Sequence, residues 1–156
     1  MAIVDIDGTV ADARHRLHLI ADNATHDDWV AFFDAADMDP ALEPGLEVVR
    51  ELQTEHEIVW LTGRPERIRR LTERWLTQHD LPSRRLIMHP TDDVRPTAVV
   101  KLEQVRSIGA QFNIAVVMDD DPRVVQLLES DGYPTVLAGW APWSNPQEQP
   151  RTAPTK

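Results

Sequence analysis

The sequence comprises 156 residues, of which 42% are hydrophobic and 27% charged, values typical of one globular domain. It carries 26 acidic against 16 basic residues and a net charge of −10, which disfavours generic binding to nucleic acids. The lack of cysteine excludes disulfides, a thiolate nucleophile and cysteine-bound zinc. No apolar run reaches the roughly 18 residues of a membrane span, and the N-terminus lacks the basic region of a signal peptide. We therefore expect a cytoplasmic protein that makes no membrane contact.

Short apolar runs alternate with segments of helical periodicity along most of the chain. The runs predict strands at 2–6, 57–61, 85–88, 114–118 and 135–137, and the periodicity predicts helices around 46–52, 68–76, 99–108 and 124–128. This alternation is typical of α/β proteins. The sequence therefore predicts a three-layer, Rossmann-like parallel sheet with helices on both faces.

Residues 12–44 interrupt this alternation directly after the first predicted strand. Their aromatic and aliphatic side chains recur at helical spacings, and no run resembles a strand. The segment is too short to fold alone, so we predict one or two helices that form a small cap on a domain spanning residues 1–140. From 141 to 156 the composition turns to Pro, Gln, Ser and Thr, and predicts a Pro-rich C-terminal tail.

Acidic residues lie at the ends of the first and fourth predicted strands. Asp5 and Asp7 lie at the end of the first, and the run Asp119, Asp120 and Asp121 ends the fourth. Because the carboxyl ends of parallel strands share one edge, we expect these carboxylates to meet in one crevice. Such a concentration of buried negative charge needs a cation. Oxygen ligands without cysteine or paired histidines favour Mg²⁺ over zinc.

The second predicted strand ends in groups suited to a phosphate. Thr62 offers a hydroxyl, Gly63 lets the backbone approach a ligand, and Arg64 offers a guanidinium that matches phosphate. Lys101, one of two lysines in the sequence, is predicted on the first turn of the helix after the third strand, where it would offset phosphate and carboxylate charge. More arginines follow Arg64 and predict a cationic cluster: Arg67, Arg69, Arg70 and Arg74.

Each of these features alone has an ordinary structural explanation, such as a turn, a helix cap or a solvated helix face. Their conjunction at strand ends indicates phosphate chemistry. A carboxylate held against Mg²⁺ can attack phosphorus and form an aspartyl-phosphate. A second acid two residues further along can protonate the leaving oxygen and then activate water.

The motifs and their order resemble the haloacid dehalogenase (HAD) superfamily of phosphohydrolases. The runs DIDGTV at 5–10 and LTGR at 61–64 resemble its first and second motifs, Lys101 its third, and VMDDD at 117–121 its fourth. The resemblance implies a Mg²⁺-dependent phosphatase with an aspartyl-phosphate intermediate.

The same resemblance implies roles for individual residues. Asp5 would be the nucleophile and a metal ligand. Asp7 would be the general acid and base, and its backbone carbonyl would also bind the metal. One of the acids at 119 and 120 would complete the metal site. Thr62 and Lys101 would hold the phosphoryl group.

Within the superfamily the sequence is most similar to the 3′-phosphatase domain of polynucleotide kinase-phosphatases. VVKLE at 99–103 resembles the third motif of those domains, and Asp119 and Asp120 followed by Val124 and Val125 resemble the fourth. This implies a substrate with a 3′-phosphate on a polynucleotide or nucleotide end.

The similarity to those domains also implies a role for two arginines. At two positions, however, the sequence differs from the pattern of those domains. Arg16, nine residues after Asp7, and Arg64 would contact the substrate phosphate. The sequence departs at Thr97, where relatives carry an acid, and at Asp121, where they tend to carry arginine. It contains no kinase phosphate-binding loop, so no kinase module is expected in this chain.

Two other functions compete with this interpretation. A phosphatase of small metabolites such as nucleotides or sugar phosphates would use the same chemistry, although the small cap argues against tight enclosure of such a substrate. A non-enzymatic receiver domain also combines an acceptor aspartate, an acidic pair, a threonine and a lysine, but in a different chain order. The physiological substrate, the oligomeric state and the choice between Asp119 and Asp120 as metal ligand are left open.

Overall fold

The computed structural model describes residues 1–141 and consists of five strands and five α-helices. The elements are β1 (Ala2–Val4), α1 (His26–Asp34), α2 (Glu43–Leu52), β2 (Ile58–Pro65), α3 (Arg69–Gln78), β3 (Leu86–His89), α4 (Thr97–Gly109), β4 (Val116–Asp119), α5 (Pro122–Ser130) and β5 (Thr135–Leu137). The predicted Pro-rich tail, apart from Ala141, lies outside the described residues.

The five strands form one parallel sheet in the order β3-β2-β1-β4-β5. The central strand β1 pairs with β2 on one side and β4 on the other, with Ile3 opposite Val59 and Val117. Successive connections therefore run in opposite directions from β1, which opens a crevice at the carboxyl ends of β1 and β4, where ligands bind in such sheets. The predicted α/β architecture is confirmed.

Side chains alternate between the two faces of the sheet and fill two hydrophobic cores. Ala2 and Val4 of β1 point into a larger core that also holds buried side chains of the 12–44 segment, α2 and α3. Ile3 between them points into a smaller core formed with α4 and α5. Successive side chains of a strand point to opposite faces, and helices cover both faces, so the strands are apolar on both sides. The sheet and the two sets of helices form the three layers.

The segment 12–44 forms α1 and two short 3₁₀ helices, at Arg14–Ile20 and Ala35–Met38. Thr25 and Asp28 form a capping box at the start of α1. The helix buries three aromatic side chains against the larger core: Trp29, Phe32 and Phe33. The segment is thus a small helical cap that shares the core of the domain.

Several predicted boundaries were wrong by a few residues. β1 ends at Val4 because the Ile6 carbonyl accepts hydrogen bonds from the amides of residues 9 to 11, in a turn that needs a positive φ of 75° at Gly8. β2 continues through Pro65, beyond the predicted end at 61, and α3 begins only at Arg69 after a 3₁₀ turn. Pro122 opens α5, where its missing N–H leaves no hydrogen bond unmade.

The turn after β1 is covered by α2. A Cβ atom at Gly45 would lie 1.9 Å from the Thr9 carbonyl oxygen, so only glycine permits this approach. The chain around residue 42 returns to the same turn, where the Leu42 amide donates to the Val10 carbonyl at 2.8 Å. These contacts fix the loop that follows Asp5 and Asp7. Within the described residues no helix is long and apolar enough to span a membrane.

Candidate active site

A buried lysine joins the carboxylates at the ends of β1 and β4. Asp5 follows β1, and its Oδ1 lies 2.9 Å from the Lys101 Nζ. The same ammonium donates to Asp119 Oδ2 at 2.6 Å, and all three residues are buried. Lys101 lies on the second turn of α4 rather than the first, because the helix begins at Thr97. Burial alone would lower the pKa of Lys101, but the two carboxylates more than offset this and raise it.

Three buried carboxylates meet beside this lysine. Asp5, Asp119 and Asp120 each offer one oxygen, and these oxygens lie within 4.8 Å of one another. Burial raises the pKa of Asp5 to about 7 despite Lys101, and burial also raises the pKa of Asp120 well above its usual value. One lysine therefore does not neutralise the cluster. The donor set is all oxygen and converges on one point, so these residues fit a hard divalent cation.

The third acid of the run has a different role. Asp121 caps the N-terminus of α5 and accepts a hydrogen bond from the Arg123 amide at 2.8 Å. Its amide in turn donates to Asp119 Oδ1 at 3.0 Å, which orients that carboxylate. Asp121 is therefore a helix cap, which is one of the ordinary structural roles considered for the acidic run. Asp119 and Asp120 both belong to the carboxylate cluster.

Asp7 is held by two fully buried arginines. Its Oδ1 accepts from Arg16 Nη2 at 2.8 Å and from Arg64 Nη2 at 2.7 Å, with Arg64 Nε at 3.0 Å. Burial raises the pKa of Asp7, but the two guanidinium groups outweigh it and hold this pKa well below its usual range. The side chain of Asp7 is therefore directed to the arginines, while the three clustered carboxylates belong to other residues.

Asp39 completes this network and was not predicted. Its carboxylate accepts from Arg16 Nε and Nη2 at 2.8 and 2.7 Å and from Arg64 Nη2 at 2.9 Å. It also lies 2.7 Å from His15 Nε2, and its backbone carbonyl accepts from Trp75 Nε1 at 2.8 Å. Nothing in the sequence separates Asp39 from its exposed neighbour Asp37, because burial here depends on how the cap folds back over the sheet.

The carboxyl-terminal half of β2 lies beside the same network. Thr62 is buried, and its Oγ1 accepts from the Arg64 amide at 3.2 Å. A Cβ atom at Gly63 would lie 3.1 Å from Thr97 Cγ2, so the glycine allows the first turn of α4 to pack against the strand end. The carboxyl end of β2 thus brings Arg64 to Asp7, with Thr62 and Gly63 directly before it in the strand.

Two arginines of the cationic cluster predicted after Arg64 pair with separate carboxylates. Arg64 is buried against Asp7, whereas Arg67 pairs with Asp34 of α1 at 2.5 Å. Arg69 pairs with Glu66, three residues earlier in the chain. Because each of these guanidinium groups is paired with a different carboxylate, the positive potential that they would jointly exert on a polyanion is reduced.

Stability should depend jointly on metal and pH. Asp5, ionised above about pH 3.8 when unfolded, has a folded pKa of about 7. Its stabilising contribution in metal-free protein is fully present below the first value and is lost as pH rises through the second. A bound cation favours ionised carboxylates, so Mg²⁺ should raise the Tm by at least about 2 °C more at about pH 8 than at about pH 5.5. Calorimetry with Mg²⁺ or EDTA measures this, and equal Mg²⁺ shifts at both pH values would contradict it.

Comparison with known proteins gives one family match. The sequence model of the polynucleotide kinase PNKP phosphatase domain matches residues 1–137. Curated proteins gave no significant match.

Solved structures show the same fold. A chain of the Pnkp1/Rnl/Hen1 RNA repair complex, and one of a second Pnkp1/Rnl/Hen1 complex structure, are each 23% identical with a TM-score of 0.71 over 87% of this chain. The matches cover 41% and 44% of those chains, so this chain spans less than half their length. A haloacid dehalogenase-like hydrolase from Streptococcus pneumoniae is 10% identical, with a TM-score of 0.62 over 96% of this chain and 90% of its own.

Proposed function

Because this chain belongs to the family of polynucleotide kinase PNKP phosphatase domains and is a HAD-type phosphatase, we propose that it removes 3′-phosphates from polynucleotide or nucleotide ends with Mg²⁺. The observation that carries this proposal is the buried cluster of Asp5, Asp119 and Asp120 around Lys101. The description of two relatives as an RNA repair complex supports a nucleic-acid end as the substrate.

In this proposal Asp5 is the nucleophile. Asp5, Asp119 and Asp120 hold Mg²⁺ together with the backbone carbonyl of Asp7. When bound, the cation supplies positive charge that ionises the carboxylates and offsets the charge of the phosphoryl group. Lys101 adds a fixed ammonium beside the nucleophile, and Thr62 donates its hydroxyl to a phosphoryl oxygen.

The reaction then proceeds in two displacements. A carboxylate oxygen of Asp5 bonds to phosphorus, and the bond from phosphorus to the 3′ oxygen breaks as Asp7 gives that oxygen a proton. Water next attacks phosphorus while Asp7 takes its proton, and the bond to Asp5 breaks. The products are inorganic phosphate and a free 3′-hydroxyl, and both carboxylates regain their starting protonation.

Arg16 and Arg64 link phosphate binding to the protonation of Asp7. Asp7 must carry a proton to act as an acid, yet these arginines hold its pKa low in the free protein. We infer that the substrate phosphate draws one or both guanidinium groups from Asp7, and that the pKa of Asp7 then rises. Asp39 would retain the arginines during this exchange, since it binds both of them.

Phosphate release from defined ends tests the proposal. Oligonucleotides phosphorylated only at the 3′ end should release phosphate with Mg²⁺, at a rate at least about tenfold above that of the same oligonucleotides phosphorylated at the 5′ end, and EDTA should abolish it. Inorganic phosphate is measured for both, and for a panel of nucleotides and sugar phosphates. Release from small molecules alone would assign the protein to metabolite dephosphorylation, and metal-independent release would contradict the Mg²⁺ site.

A further inference from the structure

A pocket of about 240 Å³ lies beside the candidate active site, between α1 of the cap and the carboxyl ends of β2 and β3. Gly63 lines it, directly after Thr62, which we propose holds the phosphoryl group. Since β2 is the neighbour of β1, which leads to Asp5, the pocket is displaced from the nucleophile by about one to two strand spacings, on the order of 5–10 Å. A group esterified to the bound phosphate would reach it.

The walls of the pocket are fixed and largely apolar. Trp29, Val30 and Phe33 line it from α1. Arg67 fastens this helix to the sheet edge, because its guanidinium donates to Asp34 Oδ1 at 2.5 Å and to the Val30 carbonyl at 3.1 Å. Ligand pockets usually combine such apolar walls with a few polar groups.

One polar group of the pocket has no hydrogen-bond partner among residues 1–141. His89 is the last residue of β3 and lines the pocket, and its Nε2 is buried without a partner in this part of the chain. Its Nδ1 lies 3.0 Å from the Pro90 carbonyl oxygen, which can only accept, so Nδ1 carries the hydrogen. In the neutral ring Nε2 is then a free acceptor, and a buried acceptor is costly unless a donor reaches it.

The charges around the pocket favour an uncharged ligand group. Arg67 is already paired with Asp34, and Arg95 is paired with Asp93 at 2.6 Å and with Glu103 at 2.7 Å. These pairs provide no surplus positive charge for a second phosphate. The lining also includes Asp92 and Asp93, whose carboxylates disfavour a second phosphate. An apolar wall on one side with hydrogen-bond acceptors on the other instead matches a nucleoside, which has flat rings and N–H or O–H donors.

From these observations we propose that this pocket binds the terminal nucleoside that carries the 3′-phosphate, and that His89 Nε2 accepts a hydrogen bond from its amino or ribose hydroxyl group. The proposal rests on the proposed function, since it places the leaving group of that reaction. It also assigns the cap helix α1 to substrate selection.

Binding to the Asp5→Asn protein, which does not turn substrate over, tests the pocket. Adding His89→Ala should weaken binding of a nucleoside 3′-phosphate about tenfold, the loss of about 1.4 kcal/mol expected for one hydrogen bond to a buried group. Affinity for inorganic phosphate should change less than about twofold, since phosphate alone does not reach the pocket. His18→Ala, an exposed histidine outside the pocket, is the matched control and should change neither. Titration calorimetry measures all the affinities.

Two further sets of measurements identify the hydrogen-bond donor of the ligand and control for misfolding of the His89→Ala variant. Comparison of ribo with 2′-deoxy forms, and of adenosine with uridine 3′-phosphates, separates a ribose hydroxyl from a base amino group. Val30→Phe, which narrows the pocket from α1 without changing His89, should weaken nucleoside binding in the same way. Equal loss of phosphate and nucleotide affinity, or no loss of either in both variants, would overturn the pocket proposal. If wild-type protein released no phosphate from 3′ ends while His89-dependent binding persisted, the proposed function would fail and the pocket would stand.

Discussion

Replacing Asp5 by asparagine is expected to lower the rate of phosphate release by on the order of 10⁴-fold or more, because the amide cannot form the covalent bond to phosphorus. The volume of the side chain is nearly unchanged, and Lys101 loses only one of its two carboxylate partners. The raised pKa of Asp5 shows that its charge is costly in metal-free protein. The variant should therefore fold at least as stably without metal. Steady-state release from a 3′-phosphorylated oligonucleotide measures the first effect, and thermal unfolding in EDTA measures the second.

Asp121→Asn is the matched control for this substitution. Asp121 belongs to the same acidic edge but caps α5, a position where asparagine is an equally good residue. Its variant should keep activity within about twofold of wild type, since surface cap changes of this kind cost little. Activity of Asp5→Asn within about tenfold of wild type would exclude Asp5 as the nucleophile.

The fold and the clustering of Asp5, Asp119 and Lys101 could be predicted because both depend on local signals. Apolar runs set the strands, and the parallel arrangement brings residues that follow those strands to one edge. Asp5, Asp119 and Lys101 meet for that reason, although they lie far apart in the chain. The errors lie at element ends, as in β1, where hydrogen bonds to the Ile6 carbonyl end the strand two residues early.

The network in which Asp39 binds Arg16 and Arg64 could not be predicted, because it depends on how the cap segment folds back onto the sheet. Arg16 was identified through a family resemblance and Arg64 also from its place after a predicted strand, and neither gave any indication that Asp39 binds both. Asp39 lies in a stretch rich in acids, and only the fold distinguishes it from Asp37. The free acceptor of His89 is also a tertiary feature, since periodicity gives the strand but not the partners of its last side chain.

Asp39→Asn should impair both stability and catalysis. Burial raises the pKa of Asp39, so its own charge is costly. The substitution nevertheless leaves the permanently charged Arg16 and Arg64 buried with less compensating charge, and breaking a buried ion pair in this way costs about 3–5 kcal/mol of unfolding free energy. Both guanidinium groups then rely on Asp7, which binds them more tightly and whose pKa falls further. We expect kcat to fall roughly 10- to 100-fold, the range for residues that orient reactive groups. Denaturant unfolding and steady-state kinetics measure the two effects.

The pH profile separates this positioning role from a general loss of structure. If Asp39 acts through Asp7, the alkaline limb of the kcat profile, where the general acid loses its proton in the substrate complex, should shift to lower pH in Asp39→Asn. Asp39→Glu, which restores the charge, should recover part of the rate. Asp37→Asn, an exposed change two residues before Asp39 in the same cap segment, should leave the stability and the pH profile unaltered. If the rate falls only in proportion to the unfolded fraction and the pH profile of kcat does not shift, then Asp39 supports the fold and does not affect the pKa of Asp7.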